Sequence, residues 1–380
     1  MMNFLSLTQL LSRPFTAPRQ KVSDTISWEA ERTELLGRAK WLCQQVIVSP
    51  RGLLVKMPKE LGPMYGGEWA IYSLCFTAVA LTNISRIYPD TKDHALPRVE
   101  QLIDRINTPE IRRYDTMKWR EDAIDGIDGD NDHMTYLSLL AWVITNYKLA
   151  GGSSTRFDSL LTACCESLHR NMLRSPDLNL RSFPSMPIFL PDMLYTIVSL
   201  HNYGLLHDGR YADTLRRWME RAQTVWLNQT TGMLSATLTC DRRKNSSTIR
   251  GSYSALNCSL LALCADDAFA HSQYALLKQH FVKRTPLFGI REYLTKSPTF
   301  CLDPDAGPIV LGLSPSGTAF ALGAATVLGD WEMRGRLLRT ASIAGDTVTD
   351  ARQGICHYRL GEWAICGEAV ALGMRTMRKW

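Results

Sequence analysis

Acid–base chemistry on an alcohol or a glycosidic oxygen needs one carboxyl that keeps its proton and a second group placed opposite as the base. This sequence offers several carboxylates in unusual local text. Glu68 follows Tyr65, Gly66 and Gly67 and precedes Trp69. The glycines permit close backbone approach, and a carboxylate in the first turn of a helix is favoured by the helix dipole. Asp192 sits directly after Pro191 in P-I-F-L-P-D-M-L-Y, where a helix start is expected. Glu292 lies in G-I-R-E-Y, and Asp303 and Asp305 lie in C-L-D-P-D-A-G-P. Two carboxylates this close can share a proton if the turn folds them together. His133 and Tyr136, in D-N-D-H-M-T-Y, fall on one helix face, and histidine titrates near neutrality. The candidate acid–base residues are therefore Glu68, His133, Tyr136, Asp192 and Asp305. Candidate substrate contacts are Tyr65, Trp69, Arg250, Arg291, Glu292, Asp303 and Trp363. The two arginines either hold an anionic group or neutralise the acids. Each candidate also has a structural alternative: helix-start carboxylate, satisfied histidine or helix-packing tryptophan.

Other chemistries find less support. The acidic loop E-D-A-I-D-G-I-D-G-D-N-D, residues 121–132, lacks the glutamate that a calcium loop carries at its twelfth position. No cluster has zinc-ligand spacing, so neither a metal nor any other cofactor is expected. Cys356 and His357 are adjacent, a spacing that rarely aligns a nucleophile with its base. The ten cysteines contain no C-x-x-C pair and sit mostly in apolar helical text. That excludes a disulfide-stapled fold and points to a reducing, cytoplasmic setting, with secretion by an unconventional route left open.

The elements that must position these residues read as helices nearly throughout. Patterns of helical period cover about eleven to thirteen segments. A short strand is expected in L-S-A-T-L-T-C and a solvated turn in D-R-R-K-N-S-S. No strand–helix alternation and no G-x-G-x-x-G appear, which excludes a doubly wound fold. The step G-G-E-W-A-I-Y at residues 66–72 nearly recurs as G-E-W-A-I-C at 361–366. A ring of helices would bring such distant segments together. The expectation is an all-α, (α/α)6 toroid built of six helical hairpins, with a few short strands or loops over the mouth of a central cavity. Residues 26–380 would form this one domain, and residues 1–25 a flexible or weakly amphipathic arm.

The net charge of +6 is spread over the chain, and its basic clusters lack the interleaved aromatics that single-stranded nucleic acid needs. No nucleic-acid partner and no integral membrane span are expected. The expected partner is a small-molecule substrate, and assembly into a homo-oligomer is left open.

The segments M-Y-G-G-E-W-A-I-Y-S, D-H-M-T-Y-L-S-L-L, F-A-H-S-Q-Y-A-L-L-K-Q-H-F, G-I-R-E-Y and D-P-D-A-G-P-I-V-L-G-L-S-P-S-G-T-A-F-A-L-G-A resemble the linalool dehydratase/isomerase-like family, over roughly residues 30–375. The resemblance implies an α/α-barrel and a cofactor-independent lyase or isomerase acting on a small terpene alcohol. It also implies an apolar pocket with Asp, His, Tyr and Cys as acid–base groups, of which His133 is the one placed by its motif. Two other functions stay open: a carbohydrate-active hydrolase or epimerase, and a non-catalytic helical scaffold or effector. Cavity lining discriminates them. Paired carboxylates about 5–9 Å apart beside exposed aromatics favour sugars, a closed apolar pocket favours the lyase, and a filled ring favours the scaffold.

Overall fold

The computed structural model describes residues 28–239, 249–285, 287–295, 300–303 and 305–380. The expected arm over 1–25 and the D-R-R-K-N-S-S turn lie outside them. The described helices are α1 (Trp28–Val46), α2 (Pro50–Val55), α3 (Gly62–Ile87), α4 (Lys92–Ile106), α5 (Pro109–Trp119), α6 (Met134–Leu149), α7 (Asp158–Arg174), α8 (Leu190–Leu206), α9 (Ala212–Thr224), α10 (Gly251–Cys264), α11 (Asp267–Phe281), α12 (Pro315–Val327), α13 (Trp331–Gly345) and α14 (Ile365–Thr376).

Six of these helices form a closed inner ring. In order round it, α3 packs on α6, α6 on α8, α8 on α10, α10 on α12, α12 on α14, and α14 back on α3. The inner helices are the apolar ones, buried along most of their length. A helix apolar all round must be covered all round. The amphipathic helices α4, α7, α9, α11 and α13 cover the outside, each paired with the inner helix before it. The sixth pair joins the first and last helices, since α1 lies against α3 and α14. The chain is thus all-helical, with hairpin pairs around a cavity, as its periodicity implies.

The inner helices all run the same way. Trp69 meets Trp363 near the starts of α3 and α14, and a methyl added to Gly373 would press 2.6 Å from the Phe76 ring further along. Gly317 lies against Ser252, and one α-helical stretch later Ser259 bonds the Phe320 carbonyl and the Ala324 amide. Inner-to-outer connections are short: 88–91, 150–157, 207–211, 265–266 and 328–330. Outer-to-inner connections are long and gather over the inner helix N-termini. They carry four two-stranded antiparallel pairs and no closed sheet among the described residues. The pairs are β1 (Ile188–Phe189) with β2 (Thr237–Leu238), β3 (Val282–Lys283) with β4 (Gly289–Ile290), β5 (Phe300–Asp303) with β6 (Gly307–Val310), and β7 (Thr347–Asp350) with β8 (Ile355–Tyr358).

Where the two chain ends meet, the seam is ionic. Arg38 of α1 is buried, stacks on Tyr358 at 3.7 Å, and bonds Glu34 at 2.9 Å and the fully buried Glu368 of α14 at 2.6 Å. Arg375 of α14 reaches Glu34 at 2.8 Å and Glu31 at 3.3 Å. Burial pushes the Glu34 carboxyl up, but Arg375 and Arg38 outweigh it and hold it down at about 2.

The segment Lys59–Ile87 is long and apolar enough to cross a membrane, but 83% of its apolar window is buried inside the molecule. Its apolarity is accounted for by its place in the inner ring.

Candidate functional site

The N-terminal end of the ring holds the acids. Gly67 lets α5 approach α3 closely, since a Cβ there would lie 2.6 Å from the Tyr114 Cβ. Glu68 projects from the next position. Tyr65, Glu68 and Tyr72 follow a spacing of three and four, which places them on one face of α3. Asp192 lies in the first turn of α8 and accepts a 2.6 Å hydrogen bond from the Ser182 hydroxyl. Glu68, Asp192 and Tyr72 are deep in the molecule yet keep water-accessible surface. Side chains with both properties line an internal space.

The carboxylates at this end act on one another electrostatically. Burial, with Asp192 and Asp305 adding to it, raises the Glu68 carboxyl to about 8. Burial raises Asp192 to about 6 against the Ser182 hydrogen bond, with Asp305 adding to the rise. Tyr65 is raised by burial and then by Asp305, Glu68 and Asp303, so its hydroxyl sits among them.

Beneath the part-exposed Tyr72 the core packing is aromatic. Tyr72 and Tyr195 meet edge-on at 6.1 Å, and Trp142 lies 5.2 Å from Tyr195 and 5.4 Å from Phe76. The Tyr114 hydroxyl is buried without a partner among the described residues. At the rim, Trp69 and Trp363 meet edge-on at 6.4 Å, and Phe189 meets Tyr253 at 6.1 Å.

The β5–β6 hairpin covers the mouth and is tied down by Arg250. Glu292 is the anchor. Its carboxylate accepts from the Ser252 amide (3.1 Å) and hydroxyl (2.9 Å) at the start of α10, and from Arg250 Nε at 2.6 Å. It thereby caps α10 from a distant part of the chain. Arg250 Nη2 then donates to Asp303 at 2.7 Å, and Asp303 also accepts from the Asp305 and Ala306 amides. Asp305 accepts from the Tyr253 hydroxyl at 2.7 Å and lies 3.6 Å from Arg250 Nη1.

The structure thus brings Tyr65, Glu68, Trp69, Asp192, Arg250, Asp303, Asp305 and Trp363 to one end of the ring. Four sequence candidates are placed otherwise. His133 is fully buried behind the chamber, with Nδ1 2.5 Å from Asp115 and Nε2 3.3 Å from Glu121. Both nitrogens face carboxylates. Burial lowers the ring's affinity for the proton, but the two carboxylates outweigh it and the net shift is upward. His133 ties the 115–121 segment through both ring nitrogens and leaves neither free. Tyr136 turns outward, and its hydroxyl donates to the Ile106 carbonyl at 3.1 Å. The Arg291 backbone pairs with Leu313 and Phe281, and it is Arg250 that meets the acids. Glu292, expected to touch substrate, is instead consumed by Ser252 and Arg250.

The acidic loop is neutralised by arginines. Arg112 holds Asp122, Arg170 approaches Asp128, and Arg174 pairs with Asp130. No group of three His, Cys, Asp or Glu suited to a metal occurs among the described residues. A separate groove of about 330 Å³, lined by Ile197, His201, Met219 and Cys264, opens near the C-terminal ends of α8 and α10 and contains none of the chamber acids.

Sequence reasoning missed Tyr72, Tyr114 and Tyr253. Tyr72 was legible from its helical spacing to Tyr65 and Glu68. Tyr114 comes from α5, which only tertiary packing brings near. No family model matches the chain, and no curated protein matches it either.

Proposed function

We propose that this chain is a cofactor-independent acid–base enzyme, of lyase or isomerase type, acting on a small and partly apolar substrate. The observation that carries this reading is the pair Glu68 and Asp192. They lie at the same end of the ring and act on one another, with pKa values of about 8 and about 6, on either side of neutrality. At neutral pH Glu68 keeps its proton and serves as the acid, while Asp192 is mostly ionised and serves as the base. In a dehydration, Glu68 protonates the departing hydroxyl, the carbon–oxygen bond breaks, and water leaves. Asp192 takes a proton from the neighbouring carbon, whose bonding pair becomes the new double bond. The motifs quoted above support membership of the linalool dehydratase/isomerase-like family, and they select a terpene alcohol as the first substrate to try.

A second reading is favoured by the Trp69–Trp363 pair at the rim, which suits stacking on a sugar ring. One experiment separates the two. The purified chain is incubated with a panel of small terpene alcohols and, separately, with aryl glycosides, and products are followed by gas chromatography and by phenol release. Alkene or isomerised alcohol that disappears in Glu68→Gln supports the first reading. Glycoside cleavage alone replaces it with the second, and turnover of neither class overturns both.

A further inference from the structure

The connection between α7 and α8 is a loop buried like core. Asp177, Leu178, Asn179, Leu180 and Ser182 are each at most 5% exposed. Connections normally run over the surface, so the polar groups of a buried one need partners inside the protein. The Asp177 carboxylate accepts from the Ser175 hydroxyl at 2.9 Å and from the Asn179 amide at 3.2 Å. The buried Trp218 indole of α9 donates to the Asn179 side-chain oxygen at 2.9 Å. Leu178 sits at φ 66°, in the left-handed region that a side chain of its size rarely adopts. Strain of this kind persists only where the surroundings over-determine the backbone, and it clusters at functional positions. At the end of this buried, strained stretch the Ser182 hydroxyl donates to Asp192 at 2.6 Å.

The acidic loop 121–132 reaches the same stretch. Its last residue, Asp132, accepts from the Arg181 amide at 2.8 Å, directly before Ser182. The loop is itself fixed to α7. Arg170 donates to the Ile127 and Gly129 carbonyls at 2.7 and 3.3 Å, and Asn171 to the Asn131 carbonyl at 3.0 Å. Among the described residues, Ser182 is the one hydrogen-bond donor that Asp192 meets. The titratable groups around Asp192 are Glu68 and Tyr72 of α3, Tyr253 of α10, Tyr195 of its own helix and Asp305 of the hairpin, and none of these is a cation. The hydroxyl is therefore what favours the charged carboxylate there. We infer that Ser182 and Asp132 are positioning residues for Asp192: the acidic loop holds the Arg181 amide, and the backbone so fixed keeps the Ser182 hydroxyl on the carboxylate. This inference rests on the reading of Asp192 as the base and adds what keeps it one. It also gives the acidic loop a role in the site.

The test is a carboxyl titration followed by NMR on the full chain labelled with carbon-13 at aspartate, the Asp192 signal being the one lost in Asp192→Asn. Ser182→Ala is expected to raise the Asp192 midpoint by about one to two pH units, and Ser182→Thr, which keeps the hydroxyl, to leave it near the wild-type value. Asp132→Ala should raise it too, by less. Asp132→Asn keeps an oxygen for the Arg181 amide and should hold the midpoint in place. The sign is decisive, because removing the charge of Asp132 would by itself lower the midpoint. An unmoved midpoint in Ser182→Ala, or an unmoved or lowered one in Asp132→Ala, overturns the inference. Asp132→Ala, at a partly exposed position, carries the test alone where Ser182→Ala does not fold. The titration needs no turnover, so the two readings fail separately. A raised midpoint in a chain that converts no alcohol removes the reaction and keeps the network. Alcohol turnover whose acidic limb stays put in Ser182→Ala, with an unmoved midpoint, removes the network and keeps the reaction.

Discussion

In the proposed reaction, Glu68 and Asp192 take different roles because their surroundings differ. Neither carboxyl differs chemically from any other in the chain. Burial and the neighbouring Asp305 raise both, but the Ser182 hydroxyl restrains only Asp192. The sign of the resulting pH dependence follows. The base must be ionised, so kcat/KM should rise as pH passes about 6. The acid must be protonated, so it should fall as pH passes about 8. Glu68→Gln should remove the alkaline limb and lower the rate by about 10²–10⁴, and Asp192→Asn should remove the acidic limb. A profile flat across both values would sink the assignment. In the sequence, Glu68 and Asp192 stood out as helix-start carboxylates beside glycine or proline; Asp192 is one, whereas α3 begins at Gly62 and Glu68 lies in its second turn. His133 was visible for the same reason, yet it is spent on Asp115 and Glu121. Local text marks a residue as available for chemistry but does not say which of its atoms tertiary neighbours consume.

At the scale of elements, α10 shows how a helix start is built from outside. Gly251 is required there, because a Cβ would fall 1.9 Å from the Arg291 carbonyl oxygen. That close pass delivers the Glu292 carboxylate to the Ser252 amide and fixes Arg250 under the hairpin. Gly251→Ala should therefore push the 291–292 segment away, destabilise the fold by roughly 3 kcal/mol, and free the hairpin. Ser252→Ala, which removes one hydroxyl bond, should cost only about 1 kcal/mol. Urea titration of the two variants compares them, and equal losses would contradict the account. The near-repeat behaved unevenly. Its tryptophans do meet, as a closed ring requires. Its glutamates are not equivalent, because Glu68 lies within α3 whereas Glu362 ends a 3-10 turn before α14 and bonds His357 at 2.9 Å. Helix starts were legible from apolar period and capping text. The strand pairs over the mouth were mostly not, since two- and four-residue strands carry too few positions to show a period.

For the whole molecule, the seam between α1 and α14 determines whether a chamber exists. Arg38 and Glu368 are both buried and pair at 2.6 Å, with Glu34 also holding Arg38 and the Tyr358 amide also holding Glu368. Arg38→Met leaves an uncompensated carboxylate and should cost about 3–5 kcal/mol, whereas Arg38→Met with Glu368→Leu should recover most of it. Thermal or denaturant unfolding of the single and double variants measures the difference, and a double variant worse than the single would refute a purely pairwise seam. Closure was legible in the sequence as a repeat of Gly-Glu-Trp text. The charges that lock it were not, because Arg38 and Glu368 lie 330 positions apart with no shared motif.

That closure has a consequence for synthesis. The first inner wall, α3, leaves the ribosome nearly 300 residues before α14, which is on the order of tens of seconds of translation. Throughout that interval the flank of α3 carrying Phe76 lacks the partner it packs against near Gly373. The nascent protein must hold an open, sticky arc until its final helix emerges, and only then does an interior exist for any ligand to enter.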